Sequence, residues 1–212
     1  MSGRAEALDR RSPLRRLHSL SGIVPIGGFL AFHLYENHTA TRGADAYNAM
    51  AHRLQTLPLA VAIEIFVIAL PLAFHGIYGL FLTSTPRPLP SPAAPPALQN
   101  LLNVLQRTTG VVAFAFLLFH YWTTRLVQIH DHGSLDLFHQ VQAAVGNPWI
   151  YAFYVLGILS AVFHLANGIR SFAVAWGLAV SPAAQRRMGY ASALVFAVLS
   201  VVGLRSLAAF RL

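Results

Sequence analysis

Five apolar stretches set the terms on which this chain can fold. Residues 17–35, 108–124 and 188–204 carry no charge, 147–169 carry none before Arg170, and 57–82 carry one, Glu64. Each is 17 to 26 residues long. About 20 apolar residues cross a bilayer core as a helix, and only a helix satisfies its own backbone groups in lipid. The fold class is therefore all-α: an integral membrane bundle of five transmembrane helices in a single domain over 1–212. The helices are predicted near 14–38, 57–82, 103–128, 147–178 and 184–209, with a Pro-rich cytoplasmic loop over 83–100. The stretches near 38–56 and 126–146 read as polar, His-containing outer loops.

Composition agrees. The chain is 56% hydrophobic and 10% charged, against about 25% charged in a soluble domain. It has no cysteine. That excludes disulfides, thiolate-bound zinc, iron–sulfur ligation and covalent c-type haem. All fifteen basic residues are Arg, and the net charge is +8. These arginines fall between the apolar runs, which fits membrane topology rather than nucleic acid. An inside N-terminus puts Arg4, Arg10, Arg11, Arg15, Arg16, Arg87, Arg107, Arg170, Arg186 and Arg187 on the inner side. It leaves Arg42, Arg53, Arg125, Arg205 and Arg211 outside. The excess predicts a cytoplasmic N-terminus. No cleavable signal peptide is evident. Ser12-Pro13 reads as a helix start. Pro25 and Pro71 lie inside helices 1 and 2 and are expected to distort them, as membrane bundles allow.

Four of these stretches each hold one histidine away from their ends, His33, His75, His120 and His164, and the first also has His18 at its inner edge. At a rise of about 1.5 Å per residue, His33 lies roughly 24 Å from the inner face. His120 falls at a similar depth on helix 3, which runs the same way. Helices 2 and 4 run back, so His75 and His164 both fall towards the inner side. The histidines form two pairs at two depths. Two imidazoles on opposite sides of one plane are what a six-coordinate haem b requires. Zinc or copper would need three or four ligands at one depth. His75 and His164 each begin H-x-x-x-G, and Gly79 and Gly168, one turn on, could leave room for a porphyrin. A weak repeat also relates "LHSLSG" (17–22) to "LQRTTG" (105–110). Of the others, His38, His52, His130, His132 and His139 read as solvated loop residues. A haem-free transporter with buried histidines is the competing class.

"RRLHSLSG…FLAFHL", "LPLAVAIEIFVIALPLAFHGIYG", "VLQRTTG…FHYWTTR", "FYVLGILSAVFHLANGIRSFAVAWG" and "VSPAAQRR" together resemble the dihaem cytochrome b subunit of succinate:quinone oxidoreductases. The likeness is to the type with one five-helix anchor, and especially to that of Gram-positive-type menaquinone enzymes. It covers nearly the whole chain. The resemblance implies His75 and His164 on a proximal haem near the cytoplasm and His33 and His120 on a distal one. It implies flavoprotein and iron–sulfur partner subunits, a quinone (menaquinone favoured), and a multi-pass place in a bacterial cytoplasmic membrane. Arg10, Arg11, Arg15 and Arg16 could meet the iron–sulfur subunit, although topology alone also accounts for them. The complex could assemble into a higher oligomer.

Haem propionates need cations or hydrogen-bond donors. Arg16, His18, Ser19, Arg107 and Arg170 lie at the inner edge and suit the proximal haem. Glu64 reads as a proton path, a quinol contact or a helix contact on the outer side. Tyr35, Glu36 and His38 are further quinone candidates. Two departures stand out. Ser19 stands where ubiquinone-type anchors have Arg. Val162 stands where some dihaem fumarate reductases carry Glu, which favours succinate oxidation. The anchor of a quinol:fumarate reductase is the nearest alternative. A dihaem cytochrome of a bc-type, hydrogenase or formate dehydrogenase complex fits less well, because those stack two ligands on one helix.

Overall fold

A computed structural model describes residues 13–84, 95–127 and 136–212. Among these every regular element is helical. Five helices are long and apolar enough to cross a membrane: α1 (Pro13–Arg42), α3 (Ala60–Ser84), α4 (Pro96–Leu126), α6 (Pro148–Ala175) and α7 (Pro182–Ala209). Two short helices, α2 (Ala44–Gln55) and α5 (Leu137–Gly146), lie between them.

The helix starts are written in the sequence. α4, α6 and α7 each open with proline in the first turn, where its missing N–H is not needed. Asn147 and Ser181 supply the side-chain caps: Trp149 N–H donates to Asn147 Oδ1 at 2.9 Å, and Ala184 N–H donates to Ser181 Oγ at 3.2 Å. α1 is described from Pro13; Ser12 and the first Arg cluster lie outside the described residues. The Pro-rich segment is shorter than 83–100. α3 continues through Ser84 and α4 begins at Pro96, because proline limits a helix ahead of it more than one it starts. Residues 85–94, with Arg87, lie outside the described residues.

Pro25 and Pro71 are accommodated by π turns. Pro25 sits inside the π segment Gly22–Ile26 of α1, and Pro71 follows the π segment Glu64–Ala69 of α3. A proline removes one ladder donor and crowds the carbonyl four residues back. A wider turn relieves that contact. A third π segment, Trp122–Leu126, closes α4.

The stretches 38–56 and 126–146 are not plain loops. α2 and α5 occupy much of them and cover one end of the bundle. α5 is amphipathic and buries Phe138, Val141 and Val145. With Ala40, Tyr154, Leu207, Ala209 and Phe210 they form the main apolar cluster. Gly43, at φ +96°, makes the turn from α1 into α2, a conformation that favours glycine. Asp136 caps α5 by accepting from His139 N–H, and Asn48 of α2 donates to the same carboxylate at 3.0 Å. Asn48, then His139, hold the Asp136 carboxyl below the usual carboxylate range. Burial pushes the Tyr47 hydroxyl of α2 above its ordinary value. The end bearing α2 and α5 is the capped end; the other is the open end.

Candidate functional site: two interhelical histidine pairs

The four membrane histidines meet in two pairs. Near the open end, His75 of α3 and His164 of α6 face each other with ring centres 6.0 Å apart. Near the capped end, His33 of α1 and His120 of α4 are 5.8 Å apart. These are the partners that depth along the helices predicts.

Each ring has its Nδ1 engaged. His75 Nδ1 donates to the His18 carbonyl at 2.9 Å, and His164 Nδ1 donates to the Gln106 carbonyl at 2.9 Å. His33 Nδ1 donates to Glu36 Oε1 at 2.7 Å. His120 Nδ1 shares a hydrogen bond with the Tyr154 hydroxyl at 3.3 Å. A carbonyl or carboxylate on Nδ1 fixes the tautomer and leaves the Nε2 lone pair for a metal. Metal–imidazole bonds are about 2 Å, and a ring nitrogen lies about 1 Å from its ring centre, so two opposed imidazoles need roughly 6 Å between centres. Both pairs have that spacing. Phe29 stacks on His33 and Phe116 on His120, giving the capped pair aromatic walls. Donor chemistry and spacing fit two six-coordinate haems; acceptor-only partners fix the tautomer of His33, His75 and His164, and Asn37 Nδ2 lies 3.3 Å from His33 Nε2. Among the described residues there is no group of three or more His, Asp or Glu able to hold a metal ion.

The weak repeat has a structural meaning. His18 and Gln106 occupy equivalent places in "LHSLSG" and "LQRTTG", and each gives its carbonyl to one histidine of the open-end pair. The repeat's glycines make the approach feasible. A Cβ at Gly22 would overlap the His75 ring, and one at Gly110 would lie 2.7 Å from His164 Cε1. Gly79 and Gly168 face elsewhere. A Cβ on Gly79 would meet His18 Nε2 at 3.1 Å, and one on Gly168 would meet Gln106 Nε2 at 3.6 Å. Their room accommodates those two side chains. The repeat contains Gly22 and Gly110, whereas H-x-x-x-G drew attention to the other two.

The inner-edge polar residues fall into two groups. His18 stacks on His75 at 4.1 Å, nearly parallel, and its buried Nε2 has no hydrogen-bond partner among the described residues. Ser19 Oγ accepts from Trp176 Nε1 at 3.0 Å, and Arg16 lies over the Trp176 ring. Across the site, Arg170 Nε donates to Asn167 Oδ1 at 3.0 Å. Arg107 is half-buried on α4.

The quinone candidates each have their own surroundings. Tyr35 is 66% exposed. Glu36 binds the His33 ring. His38 Nδ1 meets Ser206 Oγ of α7 at 3.3 Å, so His38 is more than a solvated loop residue. His52 is exposed, and the exposed His139 pairs with Asp136. His130 and His132 lie outside the described residues.

Glu64 forms a two-point ion pair with Arg125: Nε donates to Oε1 at 2.9 Å and Nη2 to Oε2 at 2.7 Å. The pair ties α3 to α4 near the capped end. Both side chains are 30% exposed, so its strength should lie between those of exposed and buried pairs. Glu64→Gln is expected to cost about 1–2 kcal/mol. Adding Arg125→Gln should recover part of that, because no charge is then stranded. Thermal unfolding of single and double variants checks this; additive losses would refute the pairing as a stabilising contact.

Five spans holding two histidine pairs at two depths define a class: a polytopic membrane subunit built around paired imidazoles. Comparison narrows it. Residues 95–204 match the family model for the succinate dehydrogenase/fumarate reductase transmembrane subunit. The succinate dehydrogenase cytochrome b558 subunit of Bacillus subtilis (strain 168) is 40% identical over 202 residues, spanning 95% of this chain and 98% of that relative. The chain belongs to the succinate dehydrogenase/fumarate reductase transmembrane subunit family.

Proposed function

We propose that this chain is the membrane anchor and electron-transfer subunit of a succinate dehydrogenase. It would bind two haems b, with His75 and His164 on a proximal haem and His33 and His120 on a distal one. The observation that carries the proposal is the meeting of these histidines in two pairs, each with roughly 6 Å between ring centres. When bound, the haems supply one-electron relay chemistry between an iron–sulfur subunit and a quinone, menaquinone favoured.

The chain's own residues have distinct tasks. The His18 and Gln106 carbonyls hold the proximal rings by Nδ1, while Glu36 and Tyr154 hold the distal ones. His18 Nε2, Arg16, Ser19, Arg107 and Arg170 offer cations or donors for propionates at the open end. Glu36, Tyr35, His38 and Glu64 remain the quinone candidates, with Glu64 already paired to Arg125. The chain has no cysteine for clusters, so dicarboxylate chemistry falls to flavoprotein and iron–sulfur partners docking on the inner surface. The excess of inner arginines supports a cytoplasmic N-terminus in a bacterial cytoplasmic membrane.

The anchor of a quinol:fumarate reductase is the second reading, since the family spans both activities. Val162, two residues before His164, is fully buried. An apolar side chain there favours the succinate-oxidising direction over a route needing a carboxylate at that place. The test is the purified complex, assayed with succinate and a menaquinone analogue, beside its reduced-minus-oxidised spectrum. Two b-type haems per chain and succinate-dependent quinone reduction are expected. A spectrum without b-type bands would overturn the haem assignment, and a strong preference for fumarate reduction would favour the second reading.

A further inference from the structure

Three residues behind the proximal pair form a hydrogen-bonded strut whose direction is forced by chemistry. Arg170 can only donate. The atom of Asn167 that faces it, at 3.0 Å, must therefore be the carbonyl Oδ1. The Asn167 amide nitrogen then points to α4, where it donates to the Leu102 carbonyl at 3.2 Å and to Gln106 Oε1 at 2.7 Å. A backbone carbonyl can only accept, so the Leu102 contact independently gives the same orientation. With Oε1 taken, Gln106 turns its Nε2 to α6 and donates to the His164 carbonyl at 3.0 Å. His164 Nδ1 returns a bond to the Gln106 carbonyl. Asn167 itself is 4% exposed, so water does not substitute for these bonds.

The opposite ligand has no such strut. His18 takes the place of Gln106 in the repeat, but its ring stacks on His75 and its Nε2 has no partner among the described residues. His75 is held by the His18 carbonyl, a long 3.5 Å contact with Ser21 Oγ and a stacked ring; His164 is held in an amide lattice. We propose that Asn167 is a positioning residue that, through Gln106, fixes the orientation of the His164 imidazole and makes it the rigid ligand of the proximal haem. Changes to such outer partners typically weaken binding about 10- to 100-fold. This inference rests on the haem assignment proposed above.

The test uses the full chain in its complex, in native membranes, with Asn167→Asp, Asn167→Leu and His164→Ala. The aspartate variant can still accept from Arg170 but cannot donate to Gln106, so the Gln106 amide loses its enforced direction. The leucine variant keeps the branched shape with more bulk and removes the bonds to Arg170, Leu102 and Gln106. Both are expected to shift the midpoint potential and the low-temperature magnetic-resonance line of the proximal haem, and to weaken its retention by about 10- to 100-fold. The distal signals should stay in place. Unchanged proximal signals in both variants would overturn the strut. So would joint loss of both haems, which marks a general folding role. His164→Ala separates the two levels: retention of two haems there would overturn the haem assignment and the strut together. Loss of the proximal haem alone leaves the Asn167 variants to decide.

Discussion

Replacing His75 or His164 with Ala is expected to abolish one b-type haem signal and leave the other. Replacing His33 or His120 is expected to abolish the second and leave the first. The effect should be all-or-none, because a single remaining imidazole on an apolar helix face gives an iron half its axial set. Double replacement within a pair should then add nothing to the haem count, whereas replacement across pairs should empty both sites. Haem stoichiometry and difference spectra of the purified complex decide this. Loss of the same signal from His33→Ala and His164→Ala would break the pairing, whose partners lie 5.8 Å and 6.0 Å apart.

The second large effect needs no ligand to be touched. Gly110→Ala would bring a methyl to 2.7 Å from His164 Cε1, and Gly22→Ala would overlap the His75 ring. Neither ring can retreat without losing its carbonyl partner on the same helix as the glycine. Overpacking of this kind costs about 1–3 kcal/mol. Here it should also displace a haem ligand, so proximal haem content should fall sharply in both variants. Gly168→Ala is the contrast. Its methyl would reach Gln106 Nε2 at an ordinary 3.6 Å, and alanine favours a helix by about 0.5–1 kcal/mol over glycine. Gly79→Ala meets only the tip of His18 and should act weakly. Thermal stability and haem content of the four variants test the ranking. Equal losses at all four positions would show that the glycines serve helix packing generally.

How much of this was legible in the sequence depends on the distance over which each feature acts. The spans were legible because lipid imposes length and apolarity on each helix separately. The histidine pairs were legible because rise per residue converts position into depth once directions alternate. The covered end was not. Phe138, Val141 and Val145 sit among polar residues, and their burial depends on Leu207 and Phe210 far along the chain. Arg125 was assigned to the outer side by topology, and its bond to Glu64 spans 61 positions. The strut was hidden for the same reason: Asn167 and Gln106 are ordinary polar residues until α4 and α6 stand side by side. The repeat did carry the positions of Gly22 and Gly110, but H-x-x-x-G is the louder pattern, and it marks the glycines beside the ligands along their own helices.

The π turn at Gly22–Ile26 has a consequence for angular phase. Gly22 and His33 are 11 residues apart, so a regular helix at about 100° per residue would place both on nearly the same side. They serve different neighbours: Gly22 receives His75 of α3, and His33 meets His120 of α4. A turn closed over five residues instead of four rotates everything after it. α1 thereby offers one azimuth to the proximal pair and another to the distal pair. Residue count between Gly22 and His33 is therefore a coordinate in its own right. Losing one residue within this turn would let it close as a regular turn and leave His33 facing its partner, whereas inserting one would keep the apolarity yet turn His33 by about 100° away.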